Sequence, residues 1–397
     1  MLENVLSGYR VIDLTQNVAG PFCTQILGDM GAEVIKIERP GAGDDTRAWP
    51  PLFPSGDSAT YAALNRNKKS VCIDLDQQAG QALVRQLIGT ADVFVHSLKP
   101  GSAESRGLGE QALRAAQPGL IYCAISAFGQ VGPLRSLPGY DPVMQAFTGI
   151  MSVTGNEGDD PVRVGPSVID LGTGMWAAMG TLAAFLQRNR TGQGACVTAS
   201  LLETAMSWMS LLTAMFLASG QLPKKMGSAM TSMAPYELFK SADGMVFIAA
   251  GNDRLFANAC AALDCPELTT DPRFATNAQR TANRKALHEA LEQRTQRLPT
   301  QEIVARLRRH GAPCSEMHNI AQMIAHEQVQ AMQMLKNLPL PNVPEHRAMA
   351  LPLALDHQRS QQWAPPPELG AHTLEVLQGL GCSDAQIAAL REQGVIG

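Results

Sequence analysis

The chain has few of the features that usually mark a catalytic or binding class. Aromatic residues make up 5% of its 397 positions and charged residues 17%. A net charge of −4 and a pI near 6.1 give no general attraction for nucleic acid or an anionic membrane, so an anionic ligand must be held by local cations. The eight cysteines (23, 72, 123, 196, 260, 265, 314 and 382) are scattered without a C-x-x-C pair, so none has the spacing of a zinc ribbon. The N-terminus "MLENVLSGYRVIDL" has neither a basic n-region nor an apolar h-region, and together with the scattered thiols it predicts a protein of the reduced cytoplasm. Among eight histidines there is no H-x-H or H-E-x-x-H, so no metal is expected, and no G-x-S-x-G elbow offers a serine nucleophile. The most apolar stretch, "ASLLETAMSWMSLLTAMFLASG", is interrupted by Glu203 and small polar residues; it predicts a buried helix rather than a membrane span.

What is present is the balance of a loop-rich α/β protein: 45% hydrophobic residues, 35 glycines and 25 prolines. "YRVIDL" and "AEVIKIE" read as strands around the helical "GPFCTQILGDMG", with Gly31 as a C-cap. The rhythm repeats through "SVCIDL", "QAGQALVRQLIG", "DVFVHS", "LGEQALRAAQ" and "LIYCAIS", which predicts a parallel sheet with crossover helices, a Rossmann-type half over residues 1 to about 130. Small residues at Gly174, Ala177 and Ala178 predict close helix packing. "LPKKMGSAMTSMAP" is linker-like, and "YELFKSADGMVFIAAG" then reads as two strands about a turn at Asp243 and Gly244, followed by helices over 253–264, 277–295 and 300–310. Ser383 and Gln386 form a capping box at the last helix.

Glu38 ends the second strand where a dinucleotide fold would place a ribose ligand. Gly20, Gly28 and Gly31 do not make G-x-G-x-x-G, however, and Pro21 spoils the pyrophosphate turn. Lys36 and Arg39 at the same strand end are candidates for a phosphate, while the charge run "NRNKKS" (65–70) reads first as a solvated loop. Asp170, in "GPSVIDLGTGM", stands alone between an apolar run and two glycines. Its plainest role is a helix N-cap, with the apolar helical pattern starting at Met175. An acid so placed is held ionised by the helix dipole, flanking glycines admit a bulky acyl group, and an ionised carboxylate attacks a thioester without a general base.

Taken together, "LSGYRVIDLT", "AGPFCTQILGDMGAEVIKIERPGAGDDTR", "NRNKKSV", "PGYDPVMQAFTGIMSVTG", "DLGTGM", "RTGQG", "DPRFATNAQRTANR", "GAPCSEMHNIAQMIAHEQVQA" and "LGAHTLEVL" resemble the class III CoA-transferases, a family that also holds 2-methylacyl-CoA racemases. The resemblance spans nearly the whole chain. It implies a Rossmann-like large domain (1–220), a small α+β domain (225–330), a C-terminal segment (331–397) returning to the large domain, and an interlocked homodimer. It implies a CoA thioester as substrate with no prosthetic group, and Asp170 as nucleophile. Arg39, Arg106, Ile73, Ser97 and Leu98 are then expected at CoA, and Tyr140, Val18, Arg47, Gly172 and Gly174 around the acyl group. Racemase-type members carry "GHD" where this chain has "GYD" at Tyr140, which weakens racemisation as the alternative. Val18 replaces the glutamine of the oxalate type. The match in "GDDTR" and "GYDPVMQA" points to succinyl-CoA as donor and a dicarboxylate such as itaconate, mesaconate, citramalate or glutarate as acceptor, with Arg47 as the cation for its distal carboxylate.

Overall fold

Short β-branched runs separated by amphipathic helices build a six-stranded sheet in the computed structural model, which describes residues 2–54, 56, 58–341, 343–360 and 362–397. The strands are β1 (Arg10–Leu14), β2 (Glu33–Glu38), β3 (Lys68–Cys72), β4 (Val93–His96), β5 (Ile121–Ser126) and β6 (Cys196–Ser200), in the order β3-β2-β1-β4-β5-β6 and all parallel. Ile12 lies between Ile35 and Phe94 in register. Consecutive residues such as Val93, Phe94 and Val95 are all buried, as they must be in a sheet covered on both faces. The Gln78–Ile88 helix covers one face with Leu83, Val84, Leu87 and Ile88, a stripe at helical spacing.

The chain divides into two compact units. The first, residues 1–148, 164–214 and 330–397, contains the sheet. Its last segment is tied to β3: Ser70 Oγ accepts from the Gly370 N–H, Thr373 Oγ1 accepts from the Cys72 N–H, and the Asp74 N–H donates to the Val395 carbonyl. The second unit, residues 149–163 and 215–329, has the antiparallel strands β7 (Tyr236–Lys240), β8 (Met245–Ala249) and β9 (Cys314–Glu316). Helices Asp253–Ala262, Arg284–Thr295 and Thr300–Arg309 close it over Phe239, Ile248, Phe256, Leu291 and Leu307. Residues 149–163, placed before the expected boundary near 220, join this unit because the Gly155 carbonyl accepts from the Gly227 N–H and the Asp159 carbonyl from Lys225 Nζ.

The Val168–Thr191 helix is long and apolar enough to cross a membrane, and the bent pair Leu201–Trp208 and Ser210–Ser219 passes the same test jointly. Ile169, Ala177, Ala178, Thr181 and Phe185 of the first helix are nevertheless buried within the fold, as in the core helix of a globular unit. Its neighbour is the Ala19–Asp29 helix, and Gly174 sets their approach: a Cβ there would lie 2.5 Å from the Ala19 carbonyl oxygen.

Candidate active site

In an open parallel sheet, ligands bind outside the carboxyl ends of the strands where the strand order reverses. Here that point lies between β1 and β4, and a cavity of about 650 Å³ opens there. Its walls include Gln16–Gly20 after β1, Ser97–Pro100 after β4, Ser126 and Ala127 at the end of β5, Trp49, the Arg135–Val143 region, and Asp170. Four helices have residues of their first turn on this wall: Ala19 and Gly20, Asp141 and Pro142, Asp170, and Leu201. Their positive ends favour an anionic guest.

A buried ionic network fixes the Gln16–Gly20 wall. Asp13 accepts from Thr15 N–H and Oγ1, from Thr24 Oγ1 and from Lys68 Nζ. Lys36 Nζ donates to the Thr15 carbonyl at 2.8 Å and pairs with Asp44 at 2.9 Å, while Asp44 accepts from the Asn17 N–H. Asn17 is held at φ 69°, a left-handed turn that aims the chain into the next helix. Lys36, expected at a phosphate, is thus fully buried and engaged inside the protein. The "NRNKKS" run is not a solvated loop either. Arg66 is buried against Asp29, Lys68 against Asp13, and Asn65 beside them, because each cation meets an acid from a distant part of the chain.

The expected site residues separate into two groups. Val18, Ser97, Leu98, Tyr140 and Asp170 converge on the cavity. Arg39, Arg47, Arg106, Ile73, Gly172 and Gly174 are not on its wall. Arg47 is taken up by Glu38: Nε donates to Oε2 at 2.8 Å and Nη2 to Oε1 at 2.7 Å, with a further bond to Tyr61 Oη. These contacts turn Nε and Nη2 of Arg47 onto Glu38 and Tyr61, and together with Lys36 and Ser70 they hold the Glu38 carboxyl down at about 2 against its burial. Arg39 pairs with Asp45 and donates to the Gly43 carbonyl, with about half of its side chain in water. Arg106 pairs with Asp76 and Ser102, and Ile73 sits in the core. Gly172 and Gly174 are buried packing points rather than an opening for an acyl group. A Cβ on Gly172 would lie 2.7 Å from the Trp208 ring and one on Gly174 would strike the Ala19 carbonyl.

Asp170 does not cap its helix. The helix begins at Val168, before the expected start, and Asp170 is its third residue. The capping acid is Asp141, whose Oδ2 accepts from the Ile169 N–H at 2.7 Å and the Asp170 N–H at 3.1 Å. Gln145 donates to Asp141 Oδ1 and accepts from the Val164 N–H, which braces the cap from behind. The Asp170 carboxylate is thereby released: among the described residues it accepts no hydrogen bond, and it faces the cavity. Burial and the neighbouring Asp141 carboxylate push it up to about 7, so near neutral pH it is poised between its two forms rather than held ionised by the dipole. No group of three or more metal-ligating side chains occurs among the described residues. Asp141, Trp49, Lys99 and Arg135 are wall residues that the sequence did not single out. For Asp141 the one available signal was its place beside Tyr140 in "PGYDPV".

The family model described as CoA-transferase family III matches residues 6–373. The chain is 36% identical over 392 residues to a succinyl-CoA:glutarate CoA-transferase of Homo sapiens, covering 98% of this chain and 90% of that one. It is 33% identical over 394 residues to a succinyl-CoA--D-citramalate CoA-transferase of Chloroflexus aurantiacus, covering 98% of both. Among solved structures, a CAIB/BAIF family protein from Brucella suis superimposes with a TM-score of 0.84 at 34% identity, over 94% of this chain and 99% of that one.

Proposed function

The chain belongs to CoA-transferase family III and is a class III CoA-transferase acting on CoA thioesters, and from that premise we propose that it moves CoA from succinyl-CoA to a short dicarboxylate, glutarate first, through Asp170. The observation that carries this is the freed carboxylate: Asp141 takes over the helix cap, so Asp170 faces the cavity and accepts no hydrogen bond among the described residues. A desolvated carboxylate with a raised pKa is a stronger nucleophile once ionised, and it needs no separate base. The relatives named for glutarate, citramalate and mesaconate transfer support the donor and the acceptor class, and they do not favour the racemase alternative.

The steps balance without net proton transfer. Ionised Asp170 attacks the thioester carbonyl, the C–S bond breaks, and CoA leaves as thiolate from a mixed aspartyl–succinyl anhydride. The thiolate attacks the Asp170 carbonyl, which releases succinate and leaves an aspartyl–CoA thioester. The acceptor carboxylate attacks that thioester carbonyl, its C–S bond breaks to give an aspartyl–acceptor anhydride and CoA thiolate, and the thiolate attacks the acceptor's acyl carbon, so that the anhydride C–O bond breaks and the Asp170 carboxylate is freed. We assign stabilisation of the oxyanions formed along the way to the N-terminal turn at Ala19 and Gly20, which lines the same cavity as Asp170. CoA is the substrate throughout, and the reading requires no prosthetic group.

The proposal includes a homodimer. Met175, Trp176, Met179, Leu186, Met206, Trp208 and Leu211 are exposed on three successive helices, more apolar surface than a solitary unit usually leaves in water. The activity is tested by incubating the purified protein with succinyl-CoA and a panel of acids (glutarate, citramalate, mesaconate, itaconate, oxalate) and separating the CoA esters. A new thioester with a dicarboxylate is expected; succinyl-CoA left unchanged with every acid contradicts the proposal.

A further inference from the structure

A dicarboxylate acceptor must enter a cavity whose wall already carries two acids, Asp141 and Asp170. Its second charge is not consumed by the chemistry, and leaving it unpaired in a partly desolvated site is costly. With Arg47 locked onto Glu38, the cations on this wall are Lys99 and Arg135. Both residues are exposed to solvent on this wall, so both are available to a guest.

The two differ in where they are anchored. Lys99 follows Ser97 and Leu98 on the strand-end rim beyond β4. Arg135 begins the segment that runs through Leu137, Pro138, Gly139 and Tyr140 directly into Asp141, the residue hydrogen-bonded to the N-terminal turn that carries Asp170. Arg135 is therefore on the segment tethered to the nucleophile's own turn. Its planar guanidinium matches a carboxylate with two parallel bonds, whereas an ammonium acts as a point charge.

We propose that Arg135 is the specificity-determining residue that pairs with the distal carboxylate of the acyl group, so that the enzyme selects dicarboxylates over monocarboxylates of the same length. This rests on the transferase reading above and deepens it. Because donor and acceptor acyl groups occupy the site in turn, one arginine serves both succinyl and acceptor chains.

The test compares kcat/KM for glutarate and for pentanoate at one fixed succinyl-CoA concentration, in the wild-type protein and in Arg135→Gln, Arg135→Lys and Lys99→Gln. Taking the glutarate-to-pentanoate ratio cancels any effect on the donor half-reaction. A lost charge-assisted pair is expected to lower that ratio roughly ten- to hundred-fold in Arg135→Gln. Arg135→Lys is expected to recover part of it, and Lys99→Gln to leave it unchanged. Arg135→Gln lowering both acceptors equally, or neither, overturns the proposal while leaving the transferase reading intact. A collapse of the ratio in Lys99→Gln alone assigns the carboxylate to the rim lysine and also overturns it. Failure of the wild-type protein to form any new thioester removes the transferase reading itself.

Discussion

Replacing Asp170 by Asn should make the protein more stable and inactive at once, with a gain that depends on pH in a defined direction. The Asp170 carboxyl sits at about 7 instead of its ordinary 3.8 because it is buried and faces Asp141. The folded state then holds this proton more tightly than the unfolded chain does. Between about pH 4 and pH 7 the folded state binds more protons, so stability falls as pH rises across that window. A shift of about 3 units corresponds to about 4 kcal/mol, and solvent screening of the part that faces the cavity reduces this to about 2 kcal/mol. Asn resembles the neutral acid, so the variant should match the wild type below about pH 4 and gain progressively to a plateau somewhat above pH 7. For a chain of this length an unfolding entropy of about 2 cal/mol/K per residue converts 2 kcal/mol into a rise in Tm of roughly 2–3 °C. Thermal unfolding of both proteins at a series of pH values, beside a transfer assay, measures both effects. A stability difference that does not change with pH, or a loss of stability at alkaline pH, would refute the reasoning.

Further outcomes follow from the same geometry. Asp141→Asn keeps an oxygen for the Ile169 and Asp170 N–H groups but removes the charge facing Asp170, so the rise of kcat/KM with pH should move to lower pH; Asp141→Ala should in addition lose the cap and about 1–2 kcal/mol of stability in urea unfolding. Gly174→Ala drives a methyl against the Ala19 carbonyl and should cost about 1–3 kcal/mol and lower transfer with it, read by unfolding and by kcat/KM. Glu38 at about 2, against its ordinary 4.5, contributes stability that is present above pH 4.5 and lost as pH falls toward 2. Arg47→Met should therefore cost about 3 kcal/mol near pH 7 and progressively less in acid, without changing acceptor preference, as urea titrations at several pH values would show.

How much of this was legible in the sequence depended on whether a signal was local. The strands up to β5 and the crossover helices announce themselves by period, and Gly174 with Ala177 and Ala178 marked a packed helix face that the Ala19 carbonyl now explains. β6 escaped because "CVTAS" is short, polar and half exposed at the sheet edge. Asp170 was found as a candidate, but its apparent capping duty belongs to Asp141, 29 residues earlier, and no local pattern records a cap supplied from so far away. Arg47 was expected at a distal carboxylate, Lys36 at a phosphate and "NRNKKS" in a solvated loop, because charged residues are seldom buried unpaired. Glu38 and Asp44 pair with Arg47 and Lys36 across the turn that follows β2, while Asp29 and Asp13 reach Arg66 and Lys68 only once the parallel sheet has assembled.

The most direct test of the central claim is to trap the acylated enzyme. Brief exposure of the protein to succinyl-CoA, quenching with hydroxylamine and peptide mass mapping should place a hydroxamate on the peptide containing Asp170 and leave none in the Asp170→Asn variant. A hydroxamate on a different carboxylate, or sustained transfer by Asp170→Asn, would contradict it.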